Sequence, residues 1–297
     1  MDAIPVVLFA YARPAHTARV LACLRENGVP VVYAFADGSK GATDAKAVVE
    51  TRALLRAVDW CDLRLVERAQ NLGLGRNVIA GVSAIAKEYE AFIVWEDDLI
   101  CVPETYAWMC SALKRYANDE RVMSVSAWTH PRVTPAGIGE APYFDARAEC
   151  WVWGAWARSW AGMETENALK KMELAAARGV APDAYGADLP AMARVEARKN
   201  IWAVRWLYHH FARGGLCLRP PWSMVEHIGF DASATNAAGA EAWANPPLQP
   251  APPVPSGWPE PREQAACRAL WQRANPRRTF WMRLAGKLRG LQGNRRA

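Results

Sequence analysis

The chain has 297 residues, 52% of them hydrophobic and 22% charged, with a net charge of +6; that is enough to bury one large core. No apolar run approaches the roughly 18 residues of a membrane span. The seven cysteines, at 23, 61, 101, 110, 150, 217 and 267, lack the paired spacings of a zinc site or a disulfide framework and read as buried thiols. The charge is lopsided: nine Lys or Arg and no acid follow Glu263, so residues 1–263 carry a net −3, and a nucleic-acid-binding reading from overall basicity is excluded. The composition is that of a soluble, cytoplasmic protein without a signal peptide.

In chain order, Ile4–Ala10 is predicted as a central strand, Tyr11-Ala12-Arg13-Pro14 as a turn, and the residues through Leu21 and Leu24 as an amphipathic helix. The unit repeats: strand Val31–Ala36 ending at Asp37-Gly38-Ser39, helix from about Thr43 to Val58, and strand Leu63–Glu67. Asn71-Leu72-Gly73-Leu74-Gly75 and a helix from about Arg76 to Glu88 then lead into the apolar strand Ala91–Trp95. Strands alternating with helices imply an α/β protein with a doubly wound, mostly parallel sheet, whose ligands sit beyond the carboxyl ends of the strands. Residues 103–117 read as a further helix and Arg121–Trp128 as a further strand.

The strand Ala91–Trp95 runs straight into Glu96-Asp97-Asp98. Side chains alternate along a strand, but where it ends the backbone turns and successive residues can converge. Three anions gathered there repel one another unless a divalent cation, or a ligand carrying one, neutralises them. Hard oxygen donors suit Mg2+ or Mn2+ and leave positions for water and phosphate oxygens, so a metal-bound diphosphate is the expected guest.

Beyond Trp128 the pattern changes. Trp151, Trp153, Trp156 and Trp160 crowd around Gly154, and Trp202, Trp206, Tyr208 and Phe211 follow. Such a concentration reads as core, or as a lid on the core; because carbohydrate sites also favour such rings, Trp153, Gly154 and Trp202 are candidate acceptor contacts. From Asn245 to Arg262 proline is dense, which predicts an extended linker over 246–262 that ends the catalytic domain. After it, Thr279–Leu291 sets Phe280, Trp281, Leu284, Leu288 and Leu291 on one face of a basic amphipathic helix. The tail 263–297 is thus expected to touch an anionic membrane surface, each Lys or Arg adding about 1 kcal/mol, or to fold back on the domain.

Taken together these segments resemble the GT-A glycosyltransferases, most closely the group typified by the alpha-mannoside N-acetylglucosaminyltransferase I of protein N-glycosylation. The match covers residues 4–160, with a weaker echo to about 235: Arg13 in the first turn, Asp37 after the second strand, Arg76 at the head of the helix before the acidic strand, Phe92–Pro103 around the acids, and Ser124-Val125-Ser126-Ala127-Trp128. The resemblance implies a GT-A domain over 1–245, divided into a nucleotide-binding half, 1–128, and an acceptor-binding half, 129–245. It also implies that Asp98 is the metal ligand, that Glu96 and Asp97 contact the ribose, donor sugar or metal-bound water, that Arg13 and Arg76 serve the nucleotide, and that Asp37 reads uracil.

The implied reaction moves a sugar, GlcNAc or another hexose, from a UDP-sugar to a glycan or glycolipid hydroxyl in bacterial surface polysaccharide or lipopolysaccharide synthesis, with inversion and with Mn2+ or Mg2+. The family's basic aspartate, in a Trp-Asp-Asp-Trp segment, has no counterpart in Trp202-Ala203-Val204-Arg205-Trp206. Glu226 and Asp231 are the candidate bases instead, with Asp183 and Asp188 as outsiders, and His227 is a candidate metal or phosphate contact. A sugar-nucleotide pyrophosphorylase is disfavoured because Tyr11-Ala12-Arg13-Pro14 carries no glycine. The alternatives of another class are a non-catalytic nucleotide- or glycan-binding module and an interaction protein dominated by its basic helix. An enzyme whose tail is separate should keep its activity when residues 264–297 are removed.

Overall fold

The computed structural model describes residues 3–199, 201–229 and 243–277. Strands β1 (Val6–Ala10), β2 (Val31–Ala36), β3 (Asp62–Glu67) and β4 (Ala91–Glu96) alternate with helices α1 (Pro14–Glu26), α2 (Ala42–Arg56) and α3 (Leu74–Ile85). β1 is buried along its whole length, as a strand covered by helices on both faces must be. α1 opens on a proline at its first turn, where a missing N–H costs nothing, and buries Thr17, Val20, Leu21 and Leu24 at helical spacing.

The chain continues through β5 (Leu99–Cys101), α4 (Thr105–Arg115), β6 (Val122–Ser126), β7 (Tyr143–Asp145), β8 (Trp153–Trp156), α5 (Ala157–Trp160), α6 (Ala168–Ala177), α7 (Leu189–Lys199), α8 (Trp202–Arg213), β9 (Leu216–Arg219), β10 (Val225–His227) and α9 (Cys267–Ala274). Among the described residues the main sheet has eight strands in the order β3-β2-β1-β4-β8-β6-β9-β7. β8 runs antiparallel to both β4 and β6, and β7 antiparallel to β9, while the other pairings are parallel. The result is the mixed α/β fold with a mostly parallel, helix-flanked sheet that the first hundred residues imply. β10 pairs antiparallel with β5 as a separate ribbon just after β4. No described helix is long and apolar enough to cross a membrane.

The tryptophan concentration resolves into two sets. Trp153 packs on Phe92, Trp160, Trp202 and Trp206, with centroids 5.0–6.1 Å apart. Trp153 and Trp206 are 0% exposed, and Trp202 and Trp160 only 3%. Gly154 lies in β8 between two strands, where a Cβ would come within 2.9 Å of Leu113 and 3.2 Å of the Phe92 carbonyl. The three candidate acceptor contacts Trp153, Gly154 and Trp202 are therefore core, closed off from any ligand by their own neighbours. The aromatic density reflects the volume to be filled between α3, α8 and the sheet.

The domain boundaries also need correction. The proline-rich stretch does not hang free: Trp258 packs on Trp108 and Tyr116, the Tyr116 hydroxyl donates to the Pro259 carbonyl at 2.6 Å, and Trp222 Nε1 to the Pro250 carbonyl at 2.9 Å. Proline predicts an extended path, and an extended path along a surface satisfies it as well as a spacer does. Beyond it Glu263 bridges to Phe144 beside β7 and accepts a hydrogen bond from the Tyr185 hydroxyl, while Cys267 and Trp271 of α9 are 0% and 2% exposed. Residues 263–277 thus pack on the domain, with Cys267 and Trp271 anchored in its core. The predicted helix 279–291 lies outside the described residues. Truncation after Arg262 should consequently abolish cooperative folding, visible as loss of a sigmoidal urea transition, because deleting one buried tryptophan alone costs about 3–5 kcal/mol.

Candidate functional site

β1 and β4 are adjacent and parallel, so their carboxyl ends bring the first turn against the acidic triplet. Ala12 adopts a left-handed backbone (φ 47°) and Arg13 precedes a proline that bars it from helical geometry. The chain therefore doubles back, and the Arg13 guanidinium meets Asp98, Nη1 to Oδ2 2.9 Å, with 17% and 14% of the two side chains exposed. The Tyr11 amide donates to Asp97 Oδ2 at 2.7 Å and the Asp97 amide to the Phe9 carbonyl at 3.0 Å, which pins the turn to the end of β4.

On the opposite side β10 presents His227, whose Nε2 lies 3.7 Å from the same Asp98 oxygen. The Ile228 amide donates to the Asp98 carbonyl (2.8 Å), and Asn245 grips His227 twice, accepting from its amide and donating to its carbonyl, both at 2.9 Å. Gly229 closes the corner. A Cβ there would overlap Asp98 Oδ2 and come within 2.8 Å of both Arg13 Nη1 and His227 Cε1. Gly229→Ala should therefore disorganise Asp98, Arg13 and His227 together. The expected result is a loss of about tenfold or more in nucleotide affinity with little change in melting temperature, read by calorimetry and thermal unfolding.

The electrostatics are one-sided. Burial first, then repulsion from Asp98, pushes Asp97 up to about 8. Burial and the charges of Asp98 and Asp97 hold Glu96 well above the usual carboxylate range. Arg13 is the positive charge felt by both, and it does not offset them. Asp98 Oδ1 is buried without a hydrogen-bond partner, a costly state for a carboxylate oxygen. Burial lowers the His227 imidazole, against the pull of Asp98, and so favours the neutral form that can ligate a metal.

The feature of this corner that fits a divalent cation is the buried, unpartnered oxygen of Asp98. No three His, Cys, Asp or Glu side chains converge tightly enough to hold a metal among the described residues. Asp98 and His227 would supply the protein donors, a carboxylate oxygen and an imidazole nitrogen, leaving the remaining positions to water and phosphate oxygens.

Other expectations fare differently. Asp37 is 4% exposed, and its carboxylate accepts from the Gly38, Leu72 and Gly73 amides (2.8–2.9 Å) and from Asn71 Nδ2 (3.2 Å). All four lone-pair directions are taken. Asp37 fastens the loop before α3 and has no acceptor left for a uracil N–H. Arg76 is exposed and lines a groove of about 470 Å3 along α3, together with Lys87, Glu164 and Arg205, instead of joining Arg13 and Asp98. Glu226 sits between Val225 and His227 on β10; since neighbours on a strand point to opposite faces and His227 faces Asp98, Glu226 faces away from it. Glu226 is thus not part of the Asp98 corner. Asp183 is engaged by Arg277 and Asp188 faces Arg147. Asp231 lies outside the described residues.

The sequence reading missed a second group of rings at this rim. Trp151 packs on His227 (centroids 4.8 Å) and on Trp128 (5.2 Å), and His130 and Trp243 continue the row. The signal that could have found it is the spacing of Trp151 from Trp153, but a strand pattern would have put both on one face. Val152, fully buried, has φ 43°. That conformation costs a β-branched residue about 1–3 kcal/mol, and it turns Trp151 out of the core face.

No family model matches the chain, and no curated protein matches it. Among solved structures, a mannosyltransferase from Pyrobaculum calidifontis in complex with GDP-Man and Mn2+ is 15% identical, with a TM-score of 0.41 over 58% of this chain and 52% of that one. The chain thus spans about half the length of that enzyme. An apo UDP-glucose pyrophosphorylase is 13% identical, with a TM-score of 0.40 over 74% of this chain and 91% of that one. A UDP-glucose pyrophosphorylase complexed with UDP-glucose is 14% identical, with a TM-score of 0.31 over 55% and 80%.

Proposed function

We propose that the chain is a GT-A-type, divalent-metal-dependent glycosyltransferase that moves a hexose, GlcNAc in the first instance, from a nucleoside-diphosphate sugar to a hydroxyl of a glycan or glycolipid of the cell surface. The observation that carries this reading is the corner at the carboxyl end of β4. There Asp98 meets Arg13 and His227 while one of its oxygens is buried without a partner. A solvated acidic turn would leave that oxygen to water; a built corner reserves it.

In this reading Asp98 and His227 hold the cation, which when bound supplies positive charge to the departing diphosphate. Arg13 changes partner from Asp98 to a phosphate oxygen, a charge-assisted bond that strengthens as negative charge gathers on the leaving group. Tyr11 and Asp97 keep β1 and β4 in register so that these groups do not drift. Gly229 lets the 227–229 backbone lie close against Asp98, where a side chain would overlap the carboxylate. With Asp37 committed to its loop, UDP rests on the family resemblance of the first hundred residues, so the nucleoside belongs among the variables of the test.

The experiment is nucleotide release from UDP-GlcNAc, UDP-glucose and GDP-mannose by the full chain, with Mn2+ and with excess EDTA. Metal-dependent release from one donor is expected. Tight nucleotide binding with no turnover of any of the three would support the non-catalytic alternative.

A further inference from the structure

We infer that Trp151 is a specificity-determining residue, the stacking surface for a pyranose ring of the acceptor; this rests on the glycosyltransferase reading above. Three observations point to it.

Trp151 belongs by sequence to the core-directed pattern of β8, since positions 151 and 153 of a continuous strand share a face. The left-handed backbone at buried Val152 breaks that alternation, and the Ala127 amide locks it in place by donating to the Val152 carbonyl at 2.9 Å. Strain of this kind persists only where the surroundings over-determine it, and it concentrates where a side chain must be aimed. What it achieves is the placement of the indole against His227, 4.8 Å between centroids, one residue removed from Asp98.

The second observation is exposure. The core tryptophans 153, 160, 202 and 206 are at most 3% exposed, whereas Trp151 and Trp243 each keep part of their surface open to solvent. Trp128, buried beneath them, contacts both, at 5.2 and 6.1 Å, and His130 packs on Trp243 at 5.2 Å. The row is apolar in body, which is the composition that suits the C–H face of a hexose.

Position supplies the third. Arg13 and the acidic triplet come from the β1 and β4 ends of the sheet, so the diphosphate side of the corner faces β1. Trp151 and Trp128 arrive from β8 and β6, beyond β4 on the other side, with His227 between them and Asp98. A ring stacked there lies across the reacting corner from the nucleotide.

The test uses the full chain with UDP and Mg2+ and reads saturation-transfer NMR to methyl α-mannopyranoside, methyl β-glucopyranoside and methyl β-galactopyranoside. Wild type should saturate the ring C–H protons of at least one. Trp151→Ala should weaken that sugar about tenfold and Trp151→Phe only about threefold, the graded loss expected of a stacking face. Calorimetry should show UDP–Mg2+ affinity unchanged in Trp151→Phe, which keeps a ring against His227 and whose retained binding certifies its folding. Equal sugar binding by Trp151→Ala, or parallel loss of sugar and nucleotide by Trp151→Phe, would overturn the inference. So would a wild type that binds UDP–Mg2+ but none of the sugars. A wild type that binds neither would instead overturn the glycosyltransferase reading, and this inference with it.

Discussion

Asp98→Asn should lower kcat/KM for sugar transfer by about a thousandfold, or about 4 kcal/mol of transition-state stabilisation, without changing the circular dichroism spectrum. The substitution keeps the size of the side chain and removes its charge. In the wild type one carboxylate does three things: it pairs with Arg13, faces His227, and holds a buried oxygen unpartnered. An amide cannot anchor a divalent ion in that position, and it presents a second N–H group to Arg13, itself only a donor. Removing the metal from the wild type with EDTA should therefore cost as much as the substitution, and the two losses should not add, because each leaves the corner without its cation. Steady-state kinetics of both proteins with and without chelator checks this. Additive losses would mean that Asp98 acts apart from the cation.

Arg219→Met should destabilise the protein by about 3–5 kcal/mol in urea unfolding, the usual cost of orphaning a buried ion-pair partner. Arg219 is fully buried with Asp145, Nε to Oδ2 3.1 Å, and its Nη1 lies 3.3 Å from Glu149. Its guanidinium also donates to the Arg147 carbonyl at 2.9 Å and lies over the rings of Trp128 and Trp271, while Trp271 Nε1 donates to Asp145 at 2.7 Å. One cation thus ties β9, β7, the loop before β8 and the C-terminal helix α9 together. Methionine fills the space but leaves Asp145 and Glu149 facing each other with no positive charge. Because Arg219 supports Trp128, acceptor affinity should fall before the fold is lost. Arg219→Lys restores the charge without the fork and should recover only part of the stability.

How far these features are legible in the sequence depends on which physical signal each one leaves. β1 to β4 and their helices are plain because buried parallel strands are continuous apolar runs, and their helices repeat every three to four residues. β8 hides within an aromatic, glycine-containing stretch, and β7 and β10 span only three residues each, too short for a period to register. At the site, clustered acids and a pre-proline arginine mark Asp98 and Arg13, and His227 stands close to them as a chemically apt residue. Asp37 misleads because a carboxylate that fastens a loop and one that reads a base look the same until its four donors are seen. Trp153 and Trp151 differ only through one backbone angle at Val152, which no spacing encodes. Composition marks the proline-rich path as extended, yet the contacts of Trp258 and Pro259 are what make it part of the domain.

Isothermal titration of UDP into the purified chain, with and without Mn2+, alongside Asp98→Asn, is the decisive measurement. Saturable binding by the wild type only when Mn2+ is present, and none by Asp98→Asn in either buffer, is the expected result. Binding of equal strength by both proteins, or by the wild type regardless of metal, would contradict the assignment of the β4 corner as a cation and diphosphate site.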